Sequence, residues 1–371
     1  MNPIKPIAIY LPQFHPILEN DEWWGKGFTE WTNVTKAYAR FEGHYQPHLP
    51  ADLGFYDLRL EESRLAQEAM AKQFGIHGFC YYHYWFNGKR VLHEPLDRKM
   101  QNPKEDLPFM MCWANENWTR RWDGQDNEVL LRQEYEFEDD EMHIQHLIPF
   151  FKDERYIKVD GKPVFIVYRP ILFPDITKTI TIWREAVQEA GFPDIYIGFA
   201  QNKEHSFMPE EKGFDFGFQF QPNFGTQSQG IPYGDSKSIN VKNKIKKLLG
   251  YRIKKKFGIK IKTFDHYHDY VTYSEIQKNL GFAKNIYPGI TPMWDNSARR
   301  KEKPFILHDS TPEKYKNWLR YIRDNYPWKS VPENFLFINA WNEWAEGNHL
   351  EPCQKWGIQY LEATKEIMVE K

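Results

Sequence analysis

Residues 163–168 read Pro163-Val164-Phe165-Ile166-Val167-Tyr168. A run this apolar offers no polar face to water, so it fits a strand covered on both sides, as in a parallel sheet. Seven more runs are bounded by turn chemistry in the same way: Ile7–Leu11, Gly78–Tyr84, Pro108–Trp113, Ile195–Ala200, Phe216–Phe220, Gly289–Trp294 and Phe335–Ala340. Between the first two of these lies Glu61–Phe74. There Leu65, Ala66, Ala69, Met70 and Phe74 recur at helical spacing, and Gly75 supplies a stop. Ile176–Ala190, closed by Gly191, and then Pro312–Asn325 and Gly357–Val369 carry helical patterns too. Eight strands alternating with helices predict an α/β fold, a single (β/α)8 TIM barrel spanning 1–371 with long βα loops. An open doubly wound sheet is the competing arrangement, but no Gly-x-Gly-x-x-Gly follows any of the runs.

Composition narrows the function classes. Hydrophobic residues make 41% of the 371 and charged residues 27%, enough for a large core. No stretch approaches the roughly 18 apolar residues of a membrane helix. A net charge of −2 gives no global pull toward nucleic acid, which is not expected as a partner. The chain carries 14 Trp, 21 Tyr and 27 Phe, 17% in all. Trp is seldom fully buried, so a surplus of flat rings with polar edges suits a cleft in which sugar faces stack.

Cys80, Cys112 and Cys353 are an odd set without a Cys-x-x-Cys, so neither a disulfide framework nor a structural zinc site is expected. Ile7–Leu11 is too short for a signal sequence core and runs into Pro12-Gln13, so it reads as a first strand and the expected location is cytoplasmic. Lys242–Lys262 breaks the composition: basic residues interleave with Leu248, Leu249, Tyr251, Ile253 and Phe257, and no acid interrupts them. It reads as a basic insertion before the seventh strand, either a solvated excursion or a patch for an anionic surface at the inner membrane.

In such a barrel, residues just past each strand sit at the catalytic face. The eighth run continues Trp341-Asn342-Glu343-Trp344-Ala345-Glu346-Gly347, with two carboxylates three apart among aromatic neighbours. Glycosidic cleavage uses one carboxyl as acid and another as base or nucleophile, and apolar neighbours raise a carboxyl's pKa as the acid requires. A helix-start pair favoured by the dipole would look the same. After the third run comes Trp113-Ala114-Asn115-Glu116-Asn117-Trp118-Thr119-Arg120-Arg121, read as a sugar platform with Trp113, Asn115, Glu116, Trp118 and Arg121 facing the substrate. Other strand-end rings and amides are expected to line the same cleft: Tyr10, Trp31, His83, Tyr84, Tyr168, Gln219, Trp294, Asn342 and Trp344. Asp265-His266-Tyr267-His268-Asp269 has metal-ligand residue types, but no metal or other cofactor is expected. Neither a P-loop nor a Gly-x-Ser-x-Gly elbow is present.

Three longer stretches carry a family resemblance. Tyr10-Leu11-Pro12-Gln13-Phe14-His15-Pro16, Glu19–Val34 with Phe28-Thr29-Glu30-Trp31, and His44-Tyr45-Gln46-Pro47-His48 resemble the WbsX-type family, as do the Trp113–Trp118 and Asn342–Pro352 runs. That family carries a glycosyltransferase label, occurs in polysaccharide biosynthesis clusters and is similar to glycoside hydrolase family 99. The resemblance implies a retaining enzyme acting on an oligosaccharide or lipid-linked glycan, with α-mannoside-like linkages as the family 99 precedent. It implies that Glu343 deprotonates the hydroxyl beside the anomeric carbon and that Glu346 protonates the leaving group. The His-Ile-Glu-Pro-Tyr motif of family 99 is absent, and Glu116 stands at the comparable strand end, which leaves the sugar open. The alternatives are a nucleotide-sugar glycosyltransferase and a non-catalytic sugar-binding barrel.

Overall fold

The computed structural model describes residues 3–120, 125–202, 207–223 and 266–369. Arg121 and Lys242–Lys262 lie outside the described residues. The apolar runs form the staves of a barrel: β1 (Lys5–Tyr10), β2 (Gly78–Phe86), β3 (Phe109–Trp113), β4 (Lys162–Val167), β5 (Tyr196–Gln201) and β6 (Phe216–Gln219). β7 comes in two pieces, Ile286–Tyr287 and Gly289–Ile290, and β8 is Phe335–Ile338. Every neighbouring pair is parallel, as runs lacking a polar face require. The ring closes through β7. Its first piece pairs with β6 (Phe218↔Tyr287), and its second pairs with β8 (Gly289↔Phe337). Pro288, which has no N–H to give a ladder, stands at the break. Gly289 permits the closure, since a Cβ there would fall 1.7 Å from the Gln219 carbonyl oxygen.

Rings fill the barrel beneath the mouth: Phe218 stacks on Phe337 with centroids 4.4 Å apart, and Phe216 meets Tyr287 edge-on at 5.3 Å. Outside, α3 (Glu61–Gln73), α5 (Phe137–Lys152), α6 (Ile176–Glu189), α8 (Pro312–Asn325) and α9 (Gln359–Met368) form the helical layer. Two short helices, α1 (Leu18–Trp24) and α2 (Glu30–Val34), occupy the loop after β1. α4 (Glu94–Gln101) follows β2, and α7 (Tyr270–Leu280) precedes β7. The first turn of α5 holds Glu138, Asp139 and Asp140, and Pro149 lies inside the helix, which hides its periodicity in the sequence. The run expected at Gly289–Trp294 is divided: Trp294–Asp295 leaves the barrel and pairs antiparallel with Phe305–His308.

Candidate active site

Past β8 the chain folds into a hairpin. Asn342–Glu343 pairs antiparallel with Asn348–His349, and Trp344–Glu346 makes a 3-10 turn between them. The turn closes on Gly347 at φ +54°, where a Cβ would press on the Asp295 carbonyl oxygen at 2.9 Å, so only glycine fits both demands. The turn carries Glu343 and Glu346 to a single guanidinium. Arg299, in the segment after β7, donates from Nη2 to Glu343 Oε2 at 2.9 Å, and its Nη1 lies 2.9 Å from Glu346 Oε1. Its Nε donates to Glu30 Oε1 at 2.7 Å. Glu30 is the first residue of α2, which Thr29 opens with a reciprocal capping box to Thr32.

Three carboxylates thus surround one cation in a buried place: Glu30 is 0% exposed and Glu343 5%. Ionising all three would leave two negative charges without a counter-charge among these four groups, so protons are retained instead. Burial raises Glu343 from 4.5 to about 8; Arg299 opposes this, and the charges of Glu346 and Glu30 reinforce it. Burial also raises Glu30, against the pull of Arg299. For Arg299 burial works against the charge, but the three carboxylates outweigh it and hold the guanidinium protonated.

Strand alternation decides which rings join this cluster. On β2, Tyr82 and Tyr84 face the mouth. Burial first, and then charges including that of Glu343, push both phenols up. Trp118 stacks on Tyr84 at 5.4 Å and meets Trp23 edge-on at 5.5 Å. Tyr168, past β4, packs edge-on against Tyr82 at 6.2 Å and lies within the field of Glu116 and Glu346. Glu116 pairs with Arg169 at 3.4 Å. These half-buried residues and the carboxylates gather at the C-terminal ends of the strands.

Other residues expected at the substrate are placed differently. His83 and Trp113 project into the helical layer, His83 Nε2 lying 2.9 Å from His143 Nε2 of α5 and Trp113 packing edge-on against that same ring. Tyr10 also points outward, donating to Gln67 of α3 at 2.7 Å, and Gln219 turns outward to the Gly281 carbonyl at 3.1 Å. Each sits on the alternate face of its strand from the mouth. Asn115 and Asn342 are fully buried clamps. Asn342 binds both the N–H and the C=O of Leu11, and Asn115 does the same for Arg169, each tying two neighbouring strand ends together. Trp31 donates to the Tyr56 carbonyl at 2.9 Å, and Trp344 donates to Glu351 at 2.6 Å beneath the hairpin. Glu351 is itself pushed by burial to about 7, against hydrogen bonds from Trp344, Gln67 and Tyr56. Trp294 is buried too and lines a cavity of about 350 Å³ with His44, Tyr45, Asp295, His308 and Lys355. Asp269, His308 and Asp309 bring ligand-type atoms within 4.8 Å of one another nearby, where Asp269 caps α7 through Thr272 N–H.

Sequence reading passed over Arg299, Glu30 and Tyr82. Tyr82 carries a signal, being two residues from Tyr84 and therefore on its face. Glu30 stands inside the Phe28–Trp31 motif. Arg299 has no local signal.

The closed parallel sheet with helices outside it and buried carboxylates at its C-terminal strand ends is a (β/α)8 barrel. Residues 6–364 match the family described as Glycosyltransferase WbsX, and the chain belongs to that family. It is 37% identical over 371 residues to the "Uncharacterized protein WxcX" of two strains of Xanthomonas campestris pv. campestris, matching 99% of this chain and 50% of theirs. The chain therefore spans about half the length of the curated relatives it matches. Among solved structures, a glycoside hydrolase-like protein aligns at a TM-score of 0.61 and 14% identity, covering 99% of this chain and 94% of its own. The GH99 endo-alpha-mannosidase from Bacteroides thetaiotaomicron aligns at 0.55 and 12%, covering 98% and 96%. At these identities the likeness is one of fold.

Proposed function

We propose that the protein is a carbohydrate-active enzyme of polysaccharide metabolism, of the O-antigen or capsule type, that cleaves or transfers a glycosidic bond with retention through Glu343 and Glu346. The observation that carries this reading is the attachment of both carboxyls to one guanidinium at the mouth of the barrel. In the first step Glu343 takes the proton of the hydroxyl beside the anomeric carbon. That oxygen bonds to the anomeric carbon as the glycosidic bond breaks, and Glu346 gives its proton to the leaving oxygen. In the second step Glu346 takes a proton from water or from an acceptor hydroxyl, which attacks the anomeric carbon and breaks its bond to the neighbouring oxygen, and Glu343 returns its proton to that oxygen, restoring the hydroxyl. The substrate is an oligosaccharide or lipid-linked glycan with an α-mannoside-like linkage, held against Tyr84, Trp118 and Tyr168.

The family's description favours a second reading, transfer from a nucleotide sugar. Against it stands the charge of the site, since a diphosphate would enter a place where one guanidinium already serves three carboxylates. Turnover of activated aryl α-glycosides and mannose-containing oligosaccharides, with and without nucleotide sugars, separates the two. The expected result is turnover without nucleotide or added metal, about a hundredfold or more weaker in Glu346→Gln on poor leaving groups, and absent in Glu343→Gln. Activity that requires a nucleotide donor and survives both substitutions overturns the proposal. Binding without turnover in any condition points to a sugar-binding barrel.

A further inference from the structure

Resting on that reading, we infer that Arg299, anchored by Glu30, is a positioning residue that serves as the fixed counter-charge of both half-reactions. The geometry is the argument. Arg299 offers Nη2 to Glu343 and Nη1 to Glu346 at the same 2.9 Å, and Glu30 Oε1 on α2 lies 2.7 Å from Nε and 2.6 Å from the Nη2 that also serves Glu343. In the first step Glu343 gains a proton while Glu346 loses one, and in the second step the two exchanges reverse. The pair therefore holds one proton before, between and after the steps, and only its location changes. A guanidinium equidistant from both oxygens stabilises whichever carboxylate is ionised, so neither half-reaction creates or removes net charge in the buried site.

Glu30 supplies the other half of the device. It is fully buried, and its Oε1 accepts from Arg299. Without it the guanidinium would face only two acids and would favour ionising both, which would empty the pair of its proton. With it, the competition for Arg299 keeps one proton on the pair. The groups facing Glu343 come from several elements: Arg299 after β7, Glu30 on α2, Glu346 on its own hairpin, and Tyr82 and Tyr84 on β2. Glu346 faces Arg299 and Tyr168, with Glu116 and Arg169 behind that ring.

The test reads the proton directly and does not depend on knowing the glycan. The full chain is labelled with carboxyl-13C glutamate and titrated by NMR, and Glu343→Gln identifies the late-titrating carboxyl. Removing the cation in Arg299→Met is expected to move that titration to higher pH, and removing the competing anion in Glu30→Gln to lower pH. Arg299→Lys, which keeps the charge but loses the fork, is the second variant should the methionine protein fail to fold. With aryl α-glycosides, kcat is expected to fall about a hundredfold or more in Arg299→Met with KM little changed, and the pH profile to move in the directions seen by NMR. Unchanged titration in both Arg299→Lys and Glu30→Gln overturns the inference. So does a wild-type kcat and pH profile in Arg299 variants while Glu343→Gln and Glu346→Gln are inactive. Turnover that survives both Gln variants defeats the carboxylate-pair reading instead.

Discussion

Glu343 is raised to about 8 because its carboxyl is buried and shares its cation with two other acids. The unfolded chain would release that proton near 4.5. Between about 4.5 and 8 the folded state therefore binds a proton that the unfolded state does not, and stability contributed by the site is lost as pH rises through that window. Glu343→Gln removes the ionisation. Its melting temperature should be close to the parent's at pH 5 and should gain on it steadily toward pH 8. A pH series of thermal melts in which the difference stays constant contradicts a retained proton. The same charge count gives the shape of the activity profile. Glu343 is the base of the first step and holds its own proton up to about 8, so turnover should rise as pH rises toward about 8.

Elements around the mouth are fixed by buried polar fastenings in addition to apolar packing. Asn115 and Asn342 act alike at different junctions, β3 with β4 and β8 with β1, each occupying both backbone groups of a residue just past the neighbouring strand. Losing either would strand buried N–H and C=O groups. On the outer layer, α3 and α4 are joined by Lys99–Glu68, with Arg64–Glu105 beside it. Lys99 is 0% exposed, and burial lowers its pKa against the pull of Glu68. A buried charge left alone is expensive, whereas removing both charges is often neutral. Lys99→Met should lower stability by about 3–5 kcal/mol. Adding Glu68→Gln, which keeps an acceptor for the Leu107 N–H, should recover most of that loss in urea unfolding. A double variant as unstable as the single one would show that packing, not charge, joins the helices.

For the molecule as a whole, the near-balanced charge of −2 conceals an uneven distribution, since Lys242–Lys262 is basic throughout. No helix among the described residues is long and apolar enough to cross a membrane. We propose that this segment touches an anionic membrane surface, which would bring the barrel to lipid-linked glycan. Each basic residue that reaches such a surface gains about 1 kcal/mol, screened by salt. Sedimentation with phosphatidylglycerol-containing vesicles should exceed that with neutral vesicles at low salt and fall as salt rises. Equal pelleting with both leaves no role for the segment in membrane contact.

Seven of the eight apolar runs located their staves, because strands buried on two faces cannot hide among polar residues, whereas the run at Gly289–Trp294 caught only the second piece of the split seventh strand and missed Ile286–Tyr287. The spacing of Glu343 and Glu346 could likewise be read along the chain. Alternation was present in the sequence too, and it separates Tyr82 and Tyr84 from His83, but the direction of the first residue has to be known before the rest can be assigned. The partners of the carboxylates were decided only by the closed barrel. Glu30 and Arg299 stand 269 residues apart, on loops after the first and seventh strands, and no local periodicity links them. Ring closure sets β1 beside β8 and β8 beside β7, and so turns three separate loops into one buried charge cluster.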